Sequence, residues 1–576
     1  DNSNTTAATL GKDYSGNGNN WTPNNFSVTA GAGNDSLVDS PTSYGTDTGV
    51  GGQVRGNYST LNPLNTATTL ANGNLDYSSP STAPAPAYSS IGMTSGKWYF
   101  ESTITTTNTL VGVWGNGNSG MPTSGYPTYY WDIGASSATS LTLEKTSGSA
   151  SGTLGSLAAS DVYGVALDVD NTTIYFYKNN SLVQTVTGMS FVGPLFFVVG
   201  SWANSSTASS SVNFGQRPFA YTAPSGFKAL CTQNLPTPTI GATTATQAGK
   251  YFNPVLWTST GTTQSISGVG FQPDLVWSKP RNAVGQHYLN DAVRGASKYL
   301  SSSTTNAEGT DVQFLTSFDS DGFSYGTSQF INAQTLVTWA WKANGSGSTN
   351  TSGTITSTVS ANTTSGFSIV TYSGQSAAGT IGHGLGVAPS WIIVKNRSSA
   401  SPGAWTVYSS YLGNTSLLFL NTTDSVFTGN TAWNSTSPTS SVFSVGPSSL
   451  SVNTVGNNFV AYCFAEVTGY SKFGSYTGNS STAGPFVYCG FEPAFLLIKN
   501  TSSGNWVLKD NKRSTSNVVN KNLFPNLSNA ETTEYPLDFL SNGFKLNDIS
   551  ADVNASGQTY IFMAFASAPL KYTLAF

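Results

Sequence analysis

The side chains able to make or break a bond are few in this 576-residue chain. It has two histidines, His287 and His383, and three cysteines, Cys231, Cys463 and Cys489. His287 precedes Tyr288 at a position where two later stretches place Trp405 and Trp506, so it reads as a structural ring. His383 lies in IGHGLG, a glycine turn. No G-x-S-x-G elbow, H-E-x-x-H pair or phosphate loop occurs, and Cys/His spacing of the zinc type is absent. No catalytic residue, metal ligand or cofactor is therefore assigned. Three cysteines cannot build a disulfide framework. Buried free thiols are the favoured reading, with one pair as the alternative, since Cys463 and Cys489 lie in apolar runs.

Two acidic turns come nearest to a metal site. FDSDGF (318–323) and LDVDN (167–171) set two carboxylates two residues apart. Hard oxygen ligands of that kind suit Ca²⁺, but Asp-Gly and Asp-Asn are also ordinary turn chemistry, which is preferred. The remaining signal is aromatic. Trp114, the run YPTYYW with Tyr129, Tyr130 and Trp131, and Trp202 form a candidate ligand-binding set that could stack on sugar faces. The alternative is that they complete a core.

The elements that would hold these residues are strands. Charged residues make up 9% of the chain, against about 25% in ordinary soluble proteins. Asn, Ser, Thr and 60 glycines fill the gap; such short side chains suit turns and strand surfaces more than helices. Aromatics at 12% supply core material. The fold class is all-β, built of tandem antiparallel β-sandwiches. The net charge of −4 is scattered, with no basic cluster for phosphate, so nucleic acid is not an expected partner. No apolar run reaches 18 residues, so no membrane span is expected. The chain begins at Asp1 without an initiator Met or signal peptide, as a processed chain or a piece of a longer one would.

Along the chain, residues 1–94 read as an extended, loop-rich segment pinned by Trp21, Phe26, Tyr44 and Tyr58. Residues 95–230 read as a β-sandwich, because SGKWYFEST alternates as a strand should and DVYGVALDVDNTTIYFYKNNSLVQTV holds consecutive antiparallel strands. Residues 231–249 are a Pro/Thr-rich linker. Three β-domains follow, at 250–344, 366–470 and 471–576, with a flexible polar linker at 345–365. Each opens on an aromatic strand and repeats one motif: GFQPDLVWSK, GVAPSWIIVK, GFEPAFLLIK. The distance from first aromatic to motif proline is 16, 17 and 17 residues. Each closes on a strand, TLVTWAWK, NFVAYCFA or TYIFMAFA. Both faces of the motif strand are apolar, so it should be interior. Lys279, Lys395 and Lys499 fall where that strand should emerge, at the rim, near a carbonyl or carboxylate.

SGKWYFE, VGVW, GVALD, IYFYKNN and the closing NFGQRPFAYTAPSGF come in order over 95–228, and this region resembles a SPRY domain. One departure is Ser160-Asp161, where a Gly-Asp is usual. The resemblance implies a bent antiparallel sandwich whose loops choose a ligand, and no particular partner. The whole layout, with GNGNNWTPNNFS before it and the GF-x-P-x-hhhh-K motifs after it, resembles bacteriophage tail-fibre-like virion proteins of the marine and cyanophage type.

That resemblance implies a non-enzymatic fibre or adhesin at the virion surface or outside cells. Its expected partners are copies of itself, most readily as a trimer, other virion or filament proteins, and a host surface glycan or protein. A coat or filament subunit is the alternative. Asn-x-Ser/Thr sequons at Asn57, Asn171, Asn204, Asn362, Asn414, Asn421 and Asn554 would be silent in a phage and glycosylated in an archaeal or eukaryotic secretory setting.

Overall fold

The computed structural model describes residues 56–572 apart from 67, 80–84, 135–140, 147–153, 203–206, 329–332, 402 and 448–450, together with 20 and 22. The chain divides into Asp1–Thr46 and Asp47–Phe576. The first unit, with Trp21, Phe26 and Tyr44, lies outside the described residues but for those two positions. All that follows concerns the second. The sequon at Asn204 also falls outside the described residues.

The architecture is all-β. Residues up to 230 form two facing antiparallel sheets. One runs through Ala208–Asn213, Lys97–Ile104, Val162–Asp168 and Thr173–Lys178 to the edge strand Ser181–Val186; the other runs from Ala87–Tyr88 through Leu195–Ser201, Thr109–Gly115 and Tyr129–Gly134 to Thr142–Lys145. Period-two alternation makes this sandwich. Along Thr109–Gly115, Val111 and Val113 enter the core with Phe100, Phe197 and Val199, while Leu110 and Trp114 face the other way. The segment before 95 is not merely extended. Thr69–Ala71 and Asp76–Ser79 add two strands to the first sheet, and Ala87–Tyr88 adds one to the second. Buried Tyr77, whose hydroxyl donates to the Ala85 carbonyl at 2.5 Å, anchors them.

Beyond 250 one strand order occurs three times. The opening, closing, motif and aromatic strands lie side by side in that order. In the first unit they are Phe252–Thr258, Thr335–Trp341, Leu275–Pro280 and Tyr288–Asp291. In the second they are Phe367–Ser373, Asn458–Phe464, Trp391–Asn396 and Trp405–Ser409. In the third they are Ser471–Thr477, Thr559–Pro569, Phe491–Asn500 and Trp506–Asp510. A second sheet, of three, two and four strands in turn, covers the outer face of each, so the motif strand is buried on both faces as its apolar pattern requires. The stretch 345–365, expected to be a flexible linker, instead supplies Ser348–Asn350 and Ser357–Asn362 to the second unit's sheet, where six residues of the latter pair with the opening strand. Ser and Thr disguise these strands, yet TSTVSAN still alternates. The 231–249 linker is extended but pinned, with Ile240 and Ala248 fully buried against the units that follow.

The three units are not beads. Their inner sheet faces share one core, in which the closing-strand aromatics Trp341, Phe464 and Phe565 form a triangle with ring centroids 6.4, 5.9 and 5.9 Å apart. Each unit also grips the next. The Glu308 amide donates to the Arg397 carbonyl (2.9 Å), Val426 to Thr501 (2.9 Å), and Glu531 back to Arg281 (2.7 Å). Bidentate ion pairs reinforce the first and last of these seams, Arg397 on Glu308 and Arg281 on Glu531. The third unit thus returns to the first, and the three close into a ring.

The sandwich is joined to the third unit at a sheet edge. Ser475 and the loop at Asn118–Gly120 exchange two backbone hydrogen bonds of 3.0 Å, and Lys472 Nζ donates to Asn118 Oδ1 at 2.7 Å. Gly474 is required there, because a Cβ would sit 2.4 Å from the Asn118 carbonyl oxygen. The loop covers an otherwise open strand edge. Tyr488 meets Phe196 edge-on at 5.2 Å, completing the seam.

Candidate functional site

The motif lysines are not at a rim. Lys279, Lys395 and Lys499 are fully buried, and each ammonium is held by carbonyl oxygens, which was half of the expectation. Lys395 Nζ donates to Thr305 (3.0 Å), Asn396 (3.0 Å) and Gly403 (2.7 Å), using all three of its protons. Lys499 donates to Thr423 (3.2 Å) and Gly504 (2.6 Å), and Lys279 to Pro280 (2.7 Å). Thr305 and Thr423 belong to the preceding unit, so the strand end emerges into a neighbour rather than into water. Burial pulls Lys395 down to about 7 and Lys279 and Lys499 down to about 8. Lys395 and Lys499 are clasps between units, while Lys279 closes on its own strand end.

His287 lies in the same inner core. Its ring is parallel to Trp339 at 6.3 Å, and it occupies the place of Trp405 and Trp506. Those indoles donate across the seams, Trp405 Nε1 to Ser301 (2.7 Å) and Trp506 Nε1 to Phe419 (3.0 Å). Burial, with Lys279 and Arg513 nearby, holds His287 neutral, its pKa well below the usual range. His383 accepts from the Leu385 amide at Nδ1 (3.2 Å), so Nε2 carries the proton toward the Thr439 carbonyl (3.1 Å). Cys231, Cys463 and Cys489 are buried thiols, none of them in a disulfide.

The acidic turns spend their carboxylates locally. Asp168 pairs with Lys97 at 2.9 Å and accepts from Asn171; Asp321 accepts from the amides of Gly268 (3.0 Å) and Gly270 (2.6 Å). Asp319 accepts from Ser317, Ser324 and Ser265. Hydroxyls, amides and one ammonium occupy the oxygens a cation would need.

Strand alternation divides the five aromatic candidates. Trp131 faces the sandwich core, 6.4 Å edge-on from Phe191, and Tyr129 packs on the same core. Neither is placed to read a ligand. Tyr130, Trp114 and Trp202 lie on the opposite face of the second sheet. Trp114 is fully buried in a ring cluster: Tyr126 lies 5.0 Å away, tilted by 42°, and Tyr130 lies 4.6 Å from Tyr126, tilted by 41°. Trp202 lies over Gly134, where a Cβ would meet it at 2.3 Å. Beneath the rings sits a group the aromatic pattern did not flag. Asp132 is fully buried, accepts from Trp114 Nε1 at Oδ2 (2.6 Å), and has no partner at Oδ1. Glu144 is its cross-strand partner, about 5 Å away on the same face, and the Tyr126 hydroxyl bonds to Glu144. Burial first, and Glu144 second, push the Asp132 carboxyl well above the usual range against the pull of Trp114. The signal was in the sequence: Asp132 is two residues from Tyr130, hence on its face.

Among the described residues no three metal-ligating side chains converge, and no helix is long and apolar enough to cross a membrane. Family comparison matches residues 247–569, more than half of the chain, to a domain of unknown function, DUF7483, and the chain belongs to this family. Residues 97–217 match the SPRY domain, so the sandwich is a SPRY domain. Solved structures similar to this chain include the SPRY domain of human HERC1, at 22% identity over 26% of this chain and 96% of that one, TM-score 0.22. Another is the TRIM65 PSpry domain, at 14% identity over 27% and 89%, TM-score 0.23. No curated protein matches.

Proposed function

We propose that this chain is a non-enzymatic attachment protein of the virion surface, a fibre or adhesin of the bacteriophage tail-fibre type. Its DUF7483 region would be three copies of one β-domain serving as a rigid mount. The observation that carries this reading is the seam at Asn118–Gly120, which fixes a SPRY domain to the ring by backbone pairing rather than by a loose tether. The threefold recurrence of the motif and strand order supports the copies. The resemblance of the whole layout to phage fibre proteins supports the setting, and an extracellular place follows from it. A SPRY domain binds through its loops, and such a mount holds those loops still. The partner is a host surface glycan or protein, and copies of the chain in a homo-oligomer, a trimer foremost, would multiply weak binding.

The alternative, a coat or filament subunit pairing with itself and other virion proteins, is favoured by the hydroxyl- and amide-rich surface. Cryo-EM of the native particle separates the two. The attachment reading expects a few projections; a continuous lattice of this chain would overturn it. Incubation with host polysaccharide followed by a reducing-end assay tests the non-enzymatic part, and release of oligosaccharides would refute it.

A further inference from the structure

Asp132 and Glu144 are adjacent carboxyl groups on the outer face of the SPRY domain's second sheet, and among the described residues no ammonium or guanidinium forms an ion pair with either. The groups acting on Asp132 are its own burial, the Trp114 indole and Glu144; no ammonium or guanidinium is among them. Elsewhere in this chain the buried acids Asp291 and Asp510 are matched by Arg294 at 2.5 Å and Arg513 at 2.6 Å. The contrast marks the pair as incomplete. Without a counter-charge burial keeps the Asp132 carboxyl protonated, its Oδ1 has no hydrogen-bond partner among the described residues, and an incoming cation would let it ionise.

What covers the pair is a single side chain. Tyr126, more than a third exposed, lays its ring on Trp114 and Tyr130 and its hydroxyl on Glu144. It sits on the loop 116–128, which turns at Gly117 (φ +63°) and Gly125 (φ +77°). A phenol has one proton to give. It satisfies Glu144 and leaves Asp132 Oδ1 open. A planar cation with several N–H groups can take the same place between the rings and serve both acids. Guanidinium is that group: it is planar, weakly hydrated, stacks on aromatic faces and pairs with carboxylates through a fork of donors. Ammonium is more strongly hydrated and lacks the plane. A neutral sugar would stack on the rings but leave the acids uncompensated.

We propose that this face of the SPRY domain binds an arginine side chain of a partner protein, which displaces Tyr126, stacks on Trp114 beside the edge-on Tyr130 ring, and pairs with Glu144 and Asp132. The inference deepens the attachment reading by naming a protein partner. It rests on that reading only for the biological setting, since the site itself is a property of the SPRY domain.

The test is calorimetric titration of the full chain with N-acetyl-arginine amide, with N-acetyl-norleucine amide and a neutral oligosaccharide as comparisons. Saturable binding of the arginine amide alone is expected. Glu144→Gln should weaken it about tenfold, the scale of one charge-assisted pair, and Asp132→Asn should do likewise. Tyr126→Ala, which removes the plug, should tighten it. Glu144 is half-buried and holds no core, so its variant keeps the fold and the test valid even where Asp132→Asn does not. Absence of arginine binding, equal binding of the norleucine amide, arginine binding unchanged by Glu144→Gln, or binding of the oligosaccharide in its place would overturn the proposal. A coat lattice on the particle together with tight arginine binding would sink the attachment reading and leave this site standing.

Discussion

At the scale of single residues, the motif lysines dominate the chain's electrostatics. Four buried ammonium groups, Lys279, Lys395, Lys499 and Lys509, are pulled by burial to about 8, 7, 8 and 7, whereas an unfolded chain holds lysine protons up to about 10.4. Between those limits the unfolded state binds more protons than the folded one, so stability rises with pH across that window. The urea midpoint should therefore be higher at pH 9.5 than at pH 7. Above about pH 10 the trend reverses, because buried tyrosines such as Tyr88 and Tyr372 are raised by burial and ionise first in the unfolded chain. A midpoint falling steadily from pH 7 would contradict the lowering of these lysines by burial. Lys395→Met should flatten part of the rise. It should also cost about 2 kcal/mol in a denaturant titration, since the carbonyls of Thr305 and Gly403 lose their donor. The lysines show where sequence reading stopped. Their recurrence after an apolar strand was plain, and so was their need for carbonyl partners. Their burial was not, because a strand end is a rim only when no other domain covers it, and the cover came from a different unit.

At the scale of elements, the first seam and the SPRY junction are close backbone approaches that glycine permits. Gly403 allows the first unit's Thr305 carbonyl to reach the second unit's lysine; an added Cβ would lie 2.1 Å from that oxygen. Gly403→Ala should lower the thermal midpoint and speed hydrogen exchange at Glu308 and Arg397, beside the seam, more than in the SPRY core. Uniform exchange changes would count against a local seam. Gly474→Ala acts likewise at the SPRY junction and should expose the 231–249 stretch to limited proteolysis with both cores intact. Strands with an apolar pattern were legible throughout: alternating SGKWYFEST, the continuous apolar motif strands and the closing strands all lie where their pattern put them. Strands of Ser and Thr, at 348–350 and 357–362, were not, since hydroxyl side chains carry little periodic contrast. In the aromatic set, composition picked out the ring-rich stretch, while alternation decided that Trp131 turns inward and that Asp132 lies beneath Tyr126.

At the scale of the molecule, the ring changes what the recurring motif is for. Units of this length bury an outer core of their own, as the separate clusters around Phe323 and Phe443 do. Their inner faces, however, are sealed only by one another, through Trp341, Phe464 and Phe565. Trp341→Ala should accordingly destabilise all three units together, by about 3 kcal/mol or more for a buried Trp, seen as one earlier transition rather than the loss of one domain. Hydrogen exchange at the closing seam tests the ring most directly. The amides of Gly285 and Glu531 donate to Ser528 and Arg281 across the junction of first and third units. The ring predicts that both are protected like the amides of the motif strands. Exchange of both at the rate of exposed loops, with the motif strands still protected, would mean an open string of domains and would contradict it.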